Sequence, residues 1–381
     1  IKFLSSFEEV VICFDNDEPG RKGAKALARS FGTGVKVSIL DLSLKDANEY
    51  LKAGREEEFR KAWYNSRVKY RPDGLVGWKE TSTFLDDENA DPIAYYPFKG
   101  MNEAAWGLYA GQVVLLTGGS GGGKSTISKY VMKHLYETTD FKLGCLVYEE
   151  TLKEVVRTFV AQGLQKNINN PKIYKEVPHE ERVAEWNKFA EGDRWVLDNH
   201  FGSSSPDVVL EKIRYMAHNE GCKVILLDHI SIVVSDQESG DERKNLDALM
   251  TKLAMMAQEL ECIILVVSHL KRPDGTPHEE GGKTQLGQLR GTAGLGQLAH
   301  ATFGFERNSQ DEDKFRRNLI CVRALKVRKT GETGPCCYLY YEKDKARFIE
   351  LDYENHAQEL EDIKAEALRE RTEAEVTPQE I

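Results

Sequence analysis

The stretch Val113-Val-Leu-Leu-Thr117-Gly118-Gly-Ser-Gly-Gly-Gly123-Lys124-Ser125 decides the fold. An apolar run fit for a buried strand ends in a glycine-rich turn, and a helical pattern starts near Lys124. Its spacing is G-x-x-x-x-G-K-S, the pattern in which backbone N–H groups turn inward around phosphates. Bare glycines at Gly118, Gly119, Gly121, Gly122 and Gly123, with Ser120 between them, keep side chains out of that cradle. Lys124 is placed to reach the β- and γ-phosphates, and Ser125, followed by Thr126, to ligate Mg²⁺. The positive potential of the helix N-terminus adds to the attraction. These residues predict a nucleoside triphosphate site between a strand and a helix.

Outward from this turn, the run Lys223-Val-Ile-Leu-Leu-Asp228 ends on a carboxylate. Open α/β sheets bind ligands at the carboxyl ends of their strands, which makes Asp228 the second metal ligand. Residue 229 is His, so the water-activating base does not directly follow the metal carboxylate. Leu146-Val-Tyr-Glu149-Glu150 opens onto the same crevice, and either Glu149 or Glu150 is the expected base. The other would sit as negative charge at the start of the helix beginning near Thr151. His269 ends a further apolar run and is placed to hydrogen-bond a γ-phosphate. A long hydrophilic loop follows, carrying Lys271, Arg272 and Lys283, and it is a candidate for contact with nucleic-acid phosphates. Lys326 and Arg328 precede the turn Gly331-Glu-Thr-Gly334, where a cation can serve a γ-phosphate in its own subunit or a neighbouring one, although a β-hairpin with solvated Lys and Arg is the plainer reading of these residues alone.

Along the chain, strand-like runs at 112–117, 144–148, 195–198, 223–228, 262–268, 301–306, 318–326 and 337–341 alternate early on with helical stretches at 124–136, 152–164, 206–219 and 244–260. The expectation is an α/β fold with a mainly parallel core sheet and an antiparallel extension. Residues 1–66 read as a smaller α/β piece and 67–97 as a linker with one helix at 75–85. Residues 98–351 form the large domain, and 352–381 an acidic mobile segment.

The chain of 381 residues is 40% hydrophobic and 30% charged, which fits packed domains and excludes a disordered chain. No run reaches the ~20 apolar residues of a spanning helix, so no membrane partner is expected. Net charge is −10, of which residues 351–381 hold −7 (ten acids, three bases), leaving −3 for the rest. Global charge therefore neither supports nor excludes nucleic-acid binding, which depends on a local basic stripe. The seven cysteines, odd in number and set in apolar runs, predict buried free thiols in a reducing, cytoplasmic setting. Opening on Ile1 rather than Met, the chain is expected to be a fragment.

The P-loop, Glu149, Leu227-Asp-His-Ile-Ser-Ile-Val-Val-Ser235, Ser268-His-Leu-Lys271, Leu289-Arg-Gly291 and Lys326-Val-Arg328 follow the order seen in hexameric DnaB-like replicative helicases. The resemblance extends over roughly residues 100–350 and is nearest to the primase–helicases of short-tailed phages and to Twinkle-type helicases. Phe14-Asp15-Asn-Asp17-Glu-Pro-Gly20-Arg21 and Lys45-Asp46-Ala-Asn48-Glu49 resemble carboxylate motifs of a TOPRIM primase fold.

This resemblance implies a RecA-like P-loop NTPase core preceded by a partial TOPRIM-like piece. It assigns Glu149 as the base, His269 as the γ-phosphate sensor and Arg328 as an arginine finger for the neighbouring subunit. Arg290 and Gln297 would couple nucleotide state to DNA, with Gly296 standing where relatives often carry a basic residue. Ser231, Lys271, Arg272 and Lys283 would touch DNA, and the linker helix would dock on the adjacent subunit. Asp15, Asp17 and Asp46 would be vestigial metal ligands, with primer synthesis not expected from these residues. The implied activity is an Mg²⁺-dependent helicase using an NTP (ATP or dTTP-like), moving 5′ to 3′ on single-stranded and forked DNA as a homo-hexamer or heptamer. Implied settings are the host cytoplasm, for a phage protein, or less readily the mitochondrial matrix. The acidic segment resembles those that dock replicative polymerases. Two other readings share these motifs: a RecA-like ATPase that remodels DNA without unwinding, and a non-enzymatic replisome scaffold.

Overall fold

The computed structural model describes all residues except 33, 73, 79–80, 83–84, 86–90, 235–241, 274, 290–292, 353 and 377–381. The chain divides into two units, Ile1–Glu88 and Asn89–Ile381.

In the first unit, β1 (Glu9–Ile12) pairs in parallel with β2 (Lys36–Leu40), and β3 (Arg67–Lys69) adds antiparallel to β2. Helix α1 (Glu18–Ser30) crosses between β1 and β2 and buries Ala24 and Ala28 against Ile12 and Val37. Gly54, at φ +65°, separates α2 (Ala47–Lys52) from α3 (Glu56–Asn65). The expected boundary at residue 66 therefore moves, because Arg67–Lys69 complete the sheet. Of the expected docking helix at 75–85, residues 79, 80, 83 and 84 lie outside the described residues. Trp78 and Leu85 are almost fully exposed.

The second unit is built on a nine-stranded sheet. Its strands are β4 (Val113–Gly118), β5 (Lys142–Val147), β6 (Trp195–Leu197), β7 (Cys222–Asp228), β8 (Ile263–His269), β9 (Ala301–Arg307), β10 (Leu319–Val327), β11 (Gly334–Glu342) and β12 (Arg347–Leu351). Their spatial order is β12-β11-β10-β9-β4-β8-β7-β5-β6. The strands from β9 through β6 run parallel, while β10, β11 and β12 attach as an antiparallel meander. The parallel strands are buried on both faces, which explains why they read as continuous apolar runs rather than alternating ones.

One face packs α5 (Lys124–Thr138) and α6 (Leu152–Leu164) through Ile127, Val131, Val155 and Phe159. The same cluster takes in Tyr96, Phe98 and Met101 around α4 (Lys99–Ala105), so the end of the expected linker belongs to this core. The opposite face packs α9 (Pro206–His218), α10 (Glu242–Glu259) and the short α11 (Ala293–Leu298). Two further helices, α7 (Pro171–Glu176) and α8 (His179–Ala190), lie between α6 and β6 in the chain.

Residues 356–376, expected to be mobile, form α12 (His356–Val376). Its Leu360 is buried beside Tyr340 and Leu351, with Ile363 packed against them, and Lys364 pairs with Asp313 at 2.6 Å. Two apolar residues at i, i+3 suffice to seat the start of an otherwise acidic helix. The seven cysteines are free, and burial pushes the Cys262 and Cys336 thiols up to about 11 and those of Cys222 and Cys321 up to about 12. Among the described residues, no helix is long and apolar enough to cross a membrane.

Candidate active site

Sheet order assembles the site. β4, β8, β7 and β5 are consecutive neighbours, and parallel pairing puts their carboxyl ends at one edge. Gly118 lies opposite His269, and Val147 opposite Asp228. The P-loop, His269, Asp228 and Glu149 thus emerge side by side, as expected where a parallel sheet meets its ligand.

The turn at 118–123 delivers the chain into α5 with Gly123 as its left-handed N-cap, at φ +88°. A side chain there would be strained, which accounts for the last glycine of the motif. Lys124 is 5% exposed, and its ammonium donates to the Gly119 carbonyl at 2.8 Å. Burial draws its pKa down, while Asp228 and Glu149 pull the other way.

Asp228 is 1% exposed, and among the described residues neither carboxylate oxygen has a hydrogen-bond partner. Burial pushes its pKa up against the opposing pull of Lys129, Ser125 and His229. A buried carboxylate without partners is costly unless a cation meets it. With the Ser125 hydroxyl acting on it from the start of α5, the donor set is of the hard-oxygen kind that suits Mg²⁺.

The two glutamates differ in their partners. Glu150 pairs with Lys129, which is 2% exposed, and so is held against α5. The N-terminus of α6 is served by Thr151 and Glu154, which form a reciprocal capping box. Glu149 instead turns into the crevice, where its Oε1 lies 2.7 Å from His229 Nε2 and 3.5 Å from His269 Nε2. Burial raises the Glu149 pKa, but the two imidazoles outweigh it and the net shift is downward. His269 is pushed down to about 4, by burial first and then by Lys124 and His229, against Glu149. The two rings meet edge to face, 4.3 Å between centroids.

A cavity of about 710 Å³ opens here, between Gly119, Ser120 and Glu149 on one side and Lys271, Arg272 and His278 on the other. A larger one of about 870 Å³ lies beside α12, away from this chemistry, with walls of both charge signs.

Other residues singled out from the sequence fall elsewhere. Gln297, expected with the nucleotide, sits in α11 at the opposite edge of the sheet. There its carbonyl accepts from Arg328 Nη2 at 2.8 Å and from Lys326 Nζ at 2.6 Å. Lys326 also reaches the carbonyls of Gly296 and Ala299, so it caps the C-terminus of α11. A Cβ on Gly296 would come within 3.2 Å of Leu286 and Leu289, the packing that a larger residue would disturb. Arg290 lies outside the described residues.

Ser231 is only 5% exposed, which corrects its assignment as a DNA contact. Ile230 and Val233 of its short 3₁₀ turn enter the core and draw it inward. Lys271, Arg272 and Lys283 are exposed. In the first unit, Asp17 accepts from the Gly20 N–H at 2.9 Å and Asp46 from the Glu49 N–H at 2.7 Å, each as the N-cap of its own helix. The Gly20 N–H and Lys45 hold the Asp17 carboxyl below its usual range. With Asp15, these carboxylates do not make a ligand cluster among the described residues, whereas Glu149, His229 and His269 do.

Two residues of the site were missed in the sequence. His229 was noted only as not being the base, although its position after Asp228 puts it in reach of the neighbouring strand end. Arg307 ends β9 beside the P-loop and donates to the Gly121 carbonyl at 3.1 Å and to Asn318 Oδ1 at 3.1 Å. No signal for it stands in the sequence, because the pairing of β9 with β4 joins strands far apart in the chain.

A glycine-rich strand-to-helix turn, a buried carboxylate and a glutamate facing the crevice at adjacent strand ends fit a RecA-like P-loop NTPase. A solved ATPase domain shares this fold, with a TM-score of 0.60 and 18% identity over 74% of this chain and 100% of that one. So does a DnaB-like replicative helicase described with its interactions with primase, with a TM-score of 0.59 and 16% identity over 87% and 77% of the two chains. Residues 96–350 match the DnaB-like helicase C-terminal domain, and residues 1–51 match the Toprim-like family. The chain belongs to the DnaB-like helicase family. It is 33% identical over 352 residues to the DNA helicase/primase of Enterobacteria phage T3, spanning 90% of this chain but 61% of that relative.

Proposed function

We propose that this chain is the motor part of an NTP-driven replicative DNA helicase that moves 5′ to 3′ on single-stranded DNA as a closed ring of like subunits. The observation that carries this is the division of the catalytic set between two edges of one sheet. The P-loop, Glu149, Asp228 and His269 stand at the carboxyl ends, and Arg328 stands at the far end of β10, opposite them. A finger so placed serves a nucleotide on a neighbouring subunit, which calls for head-to-tail assembly.

In this reading Gly118–Thr126 hold the triphosphate, and Lys124 leaves the Gly119 carbonyl for the β- and γ-phosphates. Ser125 and Asp228 hold Mg²⁺, which neutralises developing charge on the phosphates. Glu149 accepts the proton of the attacking water, oriented by His229, and His269 faces the γ-phosphate. Lys271, Arg272 and Lys283 meet DNA phosphates. The apolar groove formed by Val156, Phe159, Trp186 and Phe189 suits Leu75, Trp78 and Leu85 of an adjacent subunit's linker. The acidic segment 352–381 is the surface for a replicative polymerase.

The test is unwinding of a forked duplex with free 5′ and 3′ strands, with Mg²⁺ and each NTP in turn. Displacement that requires NTP and the 5′ strand is expected. DNA-stimulated hydrolysis without displacement would instead identify a remodelling ATPase.

A further inference from the structure

The basic loop at 271–283 is mostly exposed, but His278 within it is 7% exposed. Its ring faces both ends of the loop. Nε2 lies 3.2 Å from the Lys271 carbonyl and Nδ1 3.4 Å from the Gly282 carbonyl, so the imidazole sits between the entry and exit of the loop and its neutral form donates to one of the two. The other side of the residue rests on the P-loop. A Cβ added at Gly119 would lie 2.2 Å from the Cβ of His278 and 3.1 Å from its Cγ. Only glycine allows this approach, so the phosphate-binding turn and the basic loop touch with nothing between them.

The loop is also fixed at its margins. The Lys271 N–H donates to the Gln288 carbonyl at 2.7 Å, and Glu280 bridges Asn308 beyond the end of β9. Its Lys271 and Arg272 line the same cavity as Gly119, Ser120 and Glu149.

We infer that His278 is a positioning residue that links the state of the P-loop to the basic loop, setting the grip of Lys271 and Arg272 on DNA according to what the P-loop holds. The close contact passes a displacement of Gly119 onward rather than absorbing it, because packed protein yields little. The ring then carries with it the end of the loop to which it donates. By linkage, DNA on the loop must alter nucleotide affinity by the same factor. The inference rests on the proposed role of this loop as a DNA contact.

The experiment measures affinity of the whole chain for oligo(dT), with and without Mg²⁺ and a non-hydrolysable NTP analogue. Three proteins are compared: the unaltered chain, His278→Ala and the double variant Lys271→Ala/Arg272→Ala. The unaltered chain should bind DNA roughly 5- to 150-fold differently in the two states, the usual range of such coupling. In His278→Ala that ratio should collapse toward one, and in the double variant, which lacks the gripping cations, binding should weaken and the ratio shrink with it. A preserved ratio in His278→Ala overturns the inference. Undiminished binding by the double variant removes the DNA role of the loop, and the inference falls with it.

Hydrogen exchange on the unaltered chain provides a check that needs no variant. Amides of 271–283 should change their protection when Mg²⁺ and the analogue are added. Unchanged exchange there would also overturn the link.

Discussion

Carboxylates in the two units look alike in sequence and are used in opposite ways. In the small unit Asp17 and Asp46 each accept a backbone N–H at the start of their own helix, so one oxygen of each is engaged locally. In the large unit Asp228 is almost wholly buried with neither oxygen hydrogen-bonded among the described residues, and Glu149 is held there by imidazoles that face the crevice. Helix capping stabilises the fold, whereas an unsatisfied buried charge destabilises it until a ligand arrives. What separates a structural carboxylate from a functional one is the set of hydrogen bonds it has already made.

The sharpest test of that contrast is Glu149→Gln. Hydrolysis should fall by about 10²–10⁴-fold, the usual worth of a general base, with nucleotide binding retained. Single-turnover hydrolysis beside equilibrium binding checks this, and retained turnover would remove Glu149 from the role. Next in size, Asp228→Asn should abolish Mg²⁺-dependent hydrolysis while the thermal midpoint of the nucleotide-free protein does not fall. A midpoint lowered by several degrees would mean that Asp228 already has a stabilising partner, and the contrast would break.

His229→Ala should lower hydrolysis by about 10-fold through loss of orientation of Glu149. It should also move the acid limb of the pH profile. Glu149 lies below the ordinary carboxylate range and His269 is pushed down to about 4, so the unaltered pair keeps its active form well below neutrality. Without His229, burial still raises the Glu149 pKa and less opposes it, so activity should fade at a higher pH as the solution is acidified.

The smallest effects belong to the caps. Asp17→Ala and Asp46→Ala should each cost about 1 kcal/mol of stability in the first unit, with hydrolysis unaltered. Denaturant titration of that unit, read beside the hydrolysis rate, distinguishes a cap from a ligand.

Much of this contrast could be read before any coordinates. The P-loop strand, the strand ending at Asp228 and the helix at 152–164 were legible because apolar runs and glycine spacing report directly on backbone demands. The order of strands was not, because β8 enters between β4 and β7 through contacts far apart in sequence. That order brings His269 to Glu149, as the pairing of β5 with β7 brings His229. Asp17 and Asp46 stay ambiguous for a related reason, since a cap and a metal ligand need the same residue type at a helix start. The seating of α12 was hidden because it depends on Leu360 and Ile363 meeting a surface built from Tyr340 and Leu351, residues unremarkable in either segment alone.

The place of β8 between β4 and β7 has a further consequence. Hydrogen-bonded strands stand about 4.8 Å apart, so the P-loop strand and the strand bearing Asp228 are held about 10 Å from each other by backbone alone. The sheet is a ruler with two divisions, and His269 stands on the middle mark. Side-chain substitutions can change what is gripped at each mark, but none can alter the spacing between them. The width of the catalytic gap is a property of topology, and it stays constant however far the side chains around it diverge.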